Sequence, residues 1–357
     1  MPGPLSRYST QQINVEDIGA VVEALSSPWL TQGPAIERFE DALAGFVGAE
    51  YAVAVNSGTA ALHLAVLASD RNLFKTSPLT FVATANAVLL AGGGVEFADV
   101  DPVTGNVDDW PEDDRGAALI PVHYSGRPAP IPESAAFVIE DAAHALGSAL
   151  SDGTRVGCCA HSQATCFSFH PVKPITTGEG GAVTTNDQSF AQEIRSLRNH
   201  GRQRDGLMYR LGLNYRMDEL SAALGISQLK RCEEYRLRRL EIAQAYDHAF
   251  RDMAELLYHP PLDSLSANHI FPVRVRHGLR DATKRALLAE GIGVQVHYVP
   301  VHEQPYYVAH YNFEVEDFPY ASAWGREELS LPCHAGMTRG DVATVLAALD
   351  RALVGAV

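Results

Sequence analysis

A single lysine, Lys173, sits between Pro171 and Pro174 in the stretch SFHPVKPITTGEGG, with no acidic neighbour nearer than Glu179. A lysine in apolar surroundings, helped by a second cation, gives up its proton more readily than a solvated one. The free amine is the form that adds to a carbonyl to make a Schiff base. The TTGEGG run lets the backbone close around a ligand. Read alone, the same string also fits a surface lysine in a turn. A second stretch, NSGTAALHL, sets Ser57, Gly58, Thr59 and Ala60 at a strand-to-helix junction. Unpaired N–H groups and the positive end of the helix dipole suit an anion such as phosphate there, and the hydroxyls add donors. A plain Ser/Thr N-cap uses the same residues. In a third, VIEDAAHA, Glu140 and Asp141 close an apolar strand. A carboxylate buried there needs a cationic partner, and the protonated ring nitrogen of a cofactor would serve. A helix-capping aspartate is the alternative, and His144 falls one turn further on if a helix follows.

These groups must be held by an alternation of strands and helices, which predicts a mostly parallel sheet with helices on its faces. YAVAVNS, AALIPVHYSG, AAFVIEDAA, QATCFSFHP and GGAVTTND read as strands. Ligands in such sheets gather at the carboxyl ends of strands, where Ser57, Asp141 and Lys173 all fall. QSFAQEIRSLRNHG reads as a helix closed by Gly201. A longer helical run begins near Met217 and breaks once before Phe250. From NHIFPVRVR to the final helix TRGDVATVLAALDRALVG the pattern is that of a smaller α+β domain. The expected division is a large domain over residues 1–235, with an N-terminal arm, and a small one over 236–357.

Composition sets outer bounds. A chain of 357 residues exceeds one core and suggests two domains sharing a cleft. A net charge of −15 argues against a nucleic-acid partner. The five cysteines fit a reducing compartment. Cys158, Cys159, Cys166 and His161 lack C-x-x-C spacing, and His297 and His302 do not make H-E-x-x-H, so no metal site is expected. Neither a Walker pattern nor G-x-G-x-x-G occurs, which leaves nucleoside triphosphates and dinucleotides unindicated. No apolar run reaches the roughly 18 residues of a membrane span, and the N-terminus lacks a basic region before an apolar one. A cytoplasmic protein with no membrane partner is the expectation.

Taken together, NSGTAALHL, TFVATANAV, VIEDAAHALG, SFHPVKPITTGEGG, RNHG and LGLNYRMDELSAALGISQL resemble the DegT/DnrJ/EryC1/StrS family of sugar aminotransferases, in the right order and over most of the chain. The resemblance implies an α/β fold of the PLP-dependent transferase type I (aspartate aminotransferase-like) class. It also implies pyridoxal 5′-phosphate as cofactor, passing through pyridoxamine 5′-phosphate. Lys173 would carry the cofactor as a Schiff base and move the proton between sugar carbon and cofactor, and Asp141 would pair with the pyridinium nitrogen. Ser57, Gly58, Thr59, Ala60 and Ser168 would hold the phosphate, Phe81 would stack on the ring, and His144 would sit near the ring hydroxyl. Asn214 would reach the phosphate of the neighbouring subunit, making a homodimer with shared active sites. His170, Tyr298, His302 and Tyr306 would border the substrate.

Within the family, SPWLTQGPAIERFE, SFHPVKPITTGEGG and VHYVPVHEQPYY are most similar to the branch that aminates C4 in pseudaminic-acid biosynthesis. The implied reaction is ping-pong: L-glutamate leaves its amine, and a nucleotide-linked, UDP-type 4-keto-6-deoxy sugar takes it. Lys173 separates the chain from the family's dehydratases, which lack the lysine. Perosamine- or bacillosamine-type substrates, C3 amination, an amino-acid enzyme using Arg216 or Arg7 for a carboxylate, and a non-catalytic PLP-binding regulator are the competing readings. One departure stands out: RPAPIPESAAF replaces a full crossover helix, so the link is either an extended excursion or the strands around it are rearranged. The links LASDRNLFKTSPLTF and RDGLMYRLGLNYRM are also short.

Overall fold

The computed structural model describes residues 7–111 and 116–355, so residues 1–6 of the expected N-terminal arm lie outside it. Helices α1 (Val15–Leu25) and α2 (Pro34–Val47) precede β1 (Tyr51–Val55), α3 (Gly58–Ala68), β2 (Leu73–Thr76), α4 (Ala83–Leu90), β3 (Gly94–Phe97) and β4 (Ala118–Ile120). Next come β5 (Ile139–Asp141), β6 (Ala164–Ser168), β7 (Gly181–Thr185), α5 (Gln188–Leu197), α6 (Glu219–Leu229) and α7 (Cys232–Phe250). The chain then runs through β8 (Leu257–Tyr258), β9 (Phe271–Val275), α8 (Arg280–Ala289), α9 (Pro305–Tyr311), α10 (Pro319–Glu327), β10 (Glu328–Leu331) and α11 (Arg339–Val354).

The first seven strands lie side by side in the order β3-β2-β4-β5-β6-β7-β1. Strands β3, β2 and β4 are parallel, as are β5 and β6. Parallel bridges Leu119–Val138 and Val122–Asp141 join the two groups. Only β7 runs the other way, antiparallel to both β6 and β1. That reversal matters for the site. An antiparallel neighbour needs no crossover, so the chain turns directly from β6 to β7, and the turn is the Lys173 segment. β2 and β3 are strands that the residue pattern did not reveal. Each has four residues, and β2 carries the buried Lys75, whose Nζ donates to the Pro111 carbonyl at 3.2 Å.

The segment in place of the crossover helix is an extended excursion, and β4 and β5 remain parallel neighbours. Asn106 Nδ2 donates to the carbonyls of Arg127 and Pro128 (3.1 and 3.3 Å), and Trp110 Nε1 donates to Pro130 (3.3 Å). Side-chain hydrogen bonds thus hold what a helix would have packed. The expected helix through Gly201 ends earlier, at Leu197 with Arg198 as its cap, and His200 and Gly201 beyond it adopt left-handed backbone (φ 62° and 69°). Asn199 then bridges to Asn214.

Residues 235 and 236, the expected domain boundary, both lie inside α7. Its first half supplies Cys232 and Tyr235 to a core with Phe39, Leu43, Phe167 and Phe169. Its second half supplies Ile242, Tyr246 and Phe250 to a core with Phe271, Val273, Leu329 and Leu349, over the antiparallel sheet β10-β9-β8. One helix therefore couples the two cores.

Where β1, β7 and the start of α3 meet, Gly181 is required by backbone proximity. A β-carbon there would meet the Ser57 carbonyl oxygen, with Ser57 C at 2.5 Å and Gly58 N at 2.7 Å. None of these atoms belongs to a side chain that can swing away. Gly181→Ala is expected to lose about 1–3 kcal/mol of stability, and urea unfolding compared with the parent chain measures it.

Candidate active site

A cavity of about 360 Å³ opens at the carboxyl ends of β5 and β6, and the segment Gln295–Tyr298 and His269 also line it. Ser57, Gly58, Thr59, Phe81, Asp141, His144, Ser168, His170, Lys173 and Tyr298 all line it. Ten residues that the sequence spreads over more than two hundred positions thus share one wall. Ala60 is buried behind that wall, in the first turn of α3.

Lys173 is carried by a tight hairpin. Phe169 N–H donates to Gly180 (2.8 Å), Thr177 N–H to Phe169 (3.0 Å) and Lys173 N–H to His170 (2.8 Å), while Ser9 Oγ fastens the Val172 carbonyl (2.9 Å). Burial pushes the Lys173 ammonium down to about 8, with the Asp141 charge acting the other way. Burial, and not the second cation expected from the sequence, therefore frees the amine. Asp141 is not spent on the lysine, because the two form no ion pair within 4.0 Å among the described residues. Thr84 Oγ1 donates to Asp141 Oδ2 at 2.7 Å and the Ala143 amide to Oδ1 at 3.1 Å, which fixes the carboxylate.

Glu140, the neighbouring acid, is structural. It accepts from Ser162 (2.5 Å) and Thr165 (2.8 Å) on Oε1 and bonds His123 Nε2 at 2.8 Å through Oε2. Burial works against its charge, yet these partners hold its carboxyl below the ordinary range.

At the other end, Ser57 does act as an N-cap, its Oγ accepting from the Ala60 amide at 3.1 Å. That leaves the Gly58 and Thr59 amides of the first turn without intrahelical acceptors. Gly58 has to be glycine for this: a β-carbon would lie 2.7 Å from Ser168 Cβ. The helix start and the Ser168 hydroxyl are therefore packed together as one patch of donors.

His144 follows β5 in a turn and not in a helix. Its Nε2 bonds Tyr298 Oη at 3.0 Å, and its Nδ1 is buried without a partner among the described residues. Burial, then Lys173 and His297, hold its ring well below the usual histidine range, so it is neutral. Phe81 stands at the rim, 56 % exposed, with its ring 5.9 Å from Tyr298.

Three predicted residues lie elsewhere. His302 is buried against Ser322 (3.0 Å) and Phe318, and Tyr306 is exposed and stacked on His310. Neither lines this cavity: His302 lies in the 3₁₀ turn Val301–Glu303 and Tyr306 in α9 just beyond it. Asn214 is exposed and also outside it. Conversely, Tyr8, Thr80, His123, His269 and His297 line the cavity without having been singled out as ligand contacts. His297 had the better signal, as a strand-end histidine beside Tyr298. Tyr8 and His269 had none, because only tertiary folding brings them in.

The chain matches the DegT/DnrJ/EryC1/StrS aminotransferase family over residues 11–350. It belongs to that family. It is 37 % identical to the UDP-4-amino-4,6-dideoxy-N-acetyl-β-L-altrosamine transaminase of Campylobacter jejuni, over 94 % of each chain. It is 36 % identical to the spore coat polysaccharide biosynthesis protein SpsC of Bacillus subtilis, over 98 % of this chain and 97 % of that one. In three dimensions it is similar to the Helicobacter pylori aminotransferase PseC, involved in pseudaminic-acid biosynthesis, with a TM-score of 0.89, 32 % identity and coverage of 98 and 99 %.

As a sugar aminotransferase of the DegT/DnrJ/EryC1/StrS family the protein works with pyridoxal phosphate, and its residues fit that group. The first-turn amides of α3 with Ser168 offer donors for a phosphate. Asp141, anchored by Thr84 and not by a protein cation, is available to a protonated ring nitrogen. The partnerless Nδ1 of His144 awaits a polar neighbour. The described residues include no helix long and apolar enough to cross a membrane and no group of three His, Cys, Asp or Glu placed to hold a metal ion.

The two opposing influences on Lys173 give a signed prediction. In the cofactor-free protein its acylation rate should rise with pH through a midpoint near 8, and Asp141→Asn should move that midpoint lower. Peptide-resolved mass spectrometry after brief acetic anhydride pulses reads both; an unmoved or raised midpoint would contradict the assignment.

Proposed function

We propose that this aminotransferase moves the amino group of L-glutamate to the C4 keto group of a nucleotide-linked, UDP-type 4-keto-6-deoxy sugar for a pseudaminic-acid-type surface glycan. The observation that carries the reading is the make-up of the cavity. Lys173 shares it with Asp141, His170, His297 and Tyr298, and no arginine is among the described residues that line it. An enzyme specialised for amino-acid substrates would be expected to meet their carboxylates with arginine. Arg216 is instead bonded to Asn199 (2.7 Å) in a separate depression with Arg195 and Arg198. The similarity to altrosamine transaminases over nearly the whole of both chains supports the sugar class.

Pyridoxal phosphate supplies the electron sink that stabilises a carbanion next to nitrogen. Asp141 keeps the ring nitrogen protonated by holding a negative charge against it. Lys173 holds the cofactor through Nζ and afterwards, as a free amine, takes and returns the proton at the reacting carbon. Its depressed basicity means that near pH 7 about one such amine in ten is unprotonated, which suits a group that must both accept and donate. The α3 amides and Ser168 orient the phosphate end. Phe81 and Tyr298 cover the opening and restrict water. Asn214 is exposed and displayed outward, and in the proposed homodimer it completes the phosphate site of the partner.

The test is spectroscopic. Loaded with pyridoxal phosphate, the protein should show the visible band of lysine-bound cofactor, lose it with L-glutamate and regain it with a UDP-4-keto-6-deoxy-hexosamine. Lys173→Ala should show neither the band nor turnover. Bleaching by glutamate without recovery on the keto sugar would overturn the sugar assignment, and no bleaching at all would overturn the donor.

A further inference from the structure

One buried acid is left unexplained by the roles above. Glu328, the first residue of β10, is fully buried and has no ion-pair partner within 4.0 Å among the described residues. A lone carboxylate so placed is costly. Its two oxygens have specific neighbours: Oε2 accepts the His297 amide at 2.5 Å, and Oε1 lies 2.6 Å from Ser330 Oγ. Ser330, also fully buried, lies 2.8 Å from His297 Nδ1. The His297 carbonyl is held in turn by Tyr124 Oη at 2.5 Å. His297 is thus fixed by its amide, its carbonyl and one ring nitrogen, and it lines the cavity. Among the described residues Nε2 has no hydrogen-bond partner, and it is the ring nitrogen left to the cavity.

We propose that Glu328, Ser330 and His297 form a proton relay that opens on the cavity at His297 Nε2, with Glu328 as its internal proton store. The hydrogen-bond directions follow from which atom carries the proton. When Glu328 is protonated, Oε2 is already accepting, so Oε1–H donates to Ser330. Ser330 then donates to His297 Nδ1, and the ring proton sits on Nε2 and points into the cavity. When Glu328 is ionised, every bond reverses: Ser330 donates to Oε1, Nδ1–H donates to Ser330, and Nε2 presents a lone pair. The ring is neutral in both states, since burial and then Lys173 hold its pKa down to about 3.

This relay has a use in the reaction, and it rests on the aminotransferase assignment but not on which sugar is bound. Amination of a ketone expels the keto oxygen as water. As the nitrogen lone pair forms the new C=N bond, the C–O bonding pair leaves with the oxygen, which needs a proton. The Nε2–H bond breaks to supply it, Nδ1 takes the Ser330 proton, Ser330 takes the Glu328 proton, and a carboxylate remains. The amino-donor half runs the steps backwards, and the water that adds returns the proton. Glu328 and Ser330 touch no substrate and are positioning residues.

The setting of Glu328 makes the change of state accessible. Burial raises its carboxyl to about 8, against the hydrogen bonds of Ser330 and the His297 amide and the charges of Arg280 and Lys284 on α8. Arg280 is itself paired with Asp281 (2.6 Å). On β9, Arg274 faces Glu328 in register, but its guanidinium is engaged by Glu327 at 2.7 Å. Tyr124 and Tyr298 also feel the Glu328 charge, and burial keeps both phenols neutral.

The experiment is a ¹⁵N–¹H correlation titration of the holoenzyme labelled with ¹⁵N-histidine, from about pH 6 to 10, with His297 assigned by its loss in His297→Gln. The protonated nitrogen should move from Nε2 to Nδ1 with a midpoint near 8. Glu328→Gln, whose amide can only donate to Ser330, should lock the Nε2–H form at every pH and remove the basic limb of the kcat profile. Ser330→Ala should uncouple the ring from pH, and His297→Gln should lower kcat by about 10²-fold or more. A wild-type His297 that keeps one tautomer throughout overturns the relay, and that titration needs no folded variant. Because the tautomer is read without sugar or donor, failure here is distinct from failure of the proposed substrate.

Discussion

The constraint on which the rest of the structure depends is that Lys173 and Asp141 must share one desolvated cavity without neutralising each other. A direct ion pair would hold the lysine protonated and consume the carboxylate, and both would be lost to chemistry. The fold avoids this by giving each its own support. Asp141 is pinned from the side by Thr84 on α4 and from behind by the Ala143 amide. Lys173 rides a hairpin fastened to β6 and to Ser9. Adjacent parallel strands β5 and β6 deliver the two groups to the same edge, and the residual attraction only partly offsets the burial that frees the amine.

Neutrality around the lysine is part of the same solution. His144, His269 and His297 all face the cavity, and burial first, then neighbouring cationic groups, keep all three uncharged near neutral pH. Their rings can therefore offer hydrogen bonds without competing with Lys173 for the role of cation. Desolvation is the shared cause. The wall that lowers the lysine also silences the histidines, while Asp141 has two donors of its own, Thr84 and the Ala143 amide.

Much of this was legible because chemistry and backbone geometry were written in the same short strings. SFHPVKPITTGEGG, NSGTAALHL and VIEDAAHA each pair a functional residue with the glycine, proline or apolar strand that positions it. The α/β alternation and a break in the long helical run after Met217 were readable for the same reason, though the place of the break, before Cys232, was not. What escaped was whatever depends on distant partners. Strands β2 and β3 each carry a charged residue, Lys75 and Glu96, whose pairing in register appears only in the fold. Gly201 looked like a helix stop, but it serves the close approach of the Arg210 segment several residues past the helix end. His302 sits in a motif-like string, yet the 3₁₀ turn Val301–Glu303 sets it against Ser322. His269 and Tyr8 reach the site only through the packing of segments far from it in the sequence.

The shortened link between β4 and β5 shows how little of a crossover the site requires. A helix there would pack on the sheet face, but the catalytic edge depends only on β5 ending where Asp141 can face the hairpin of Lys173. The bridge from Val122 to Asp141 and the His123–Glu140 contact at 2.8 Å fix that end directly. Glu140 is then the reason that VIED carries two acids in succession. Successive strand residues point to opposite faces, so Glu140 bonds His123 just past the end of β4 while Asp141 lines the cavity. Glu140, bonded to Ser162, Thr165 and His123, thus holds the end of the strand from which Asp141 is presented.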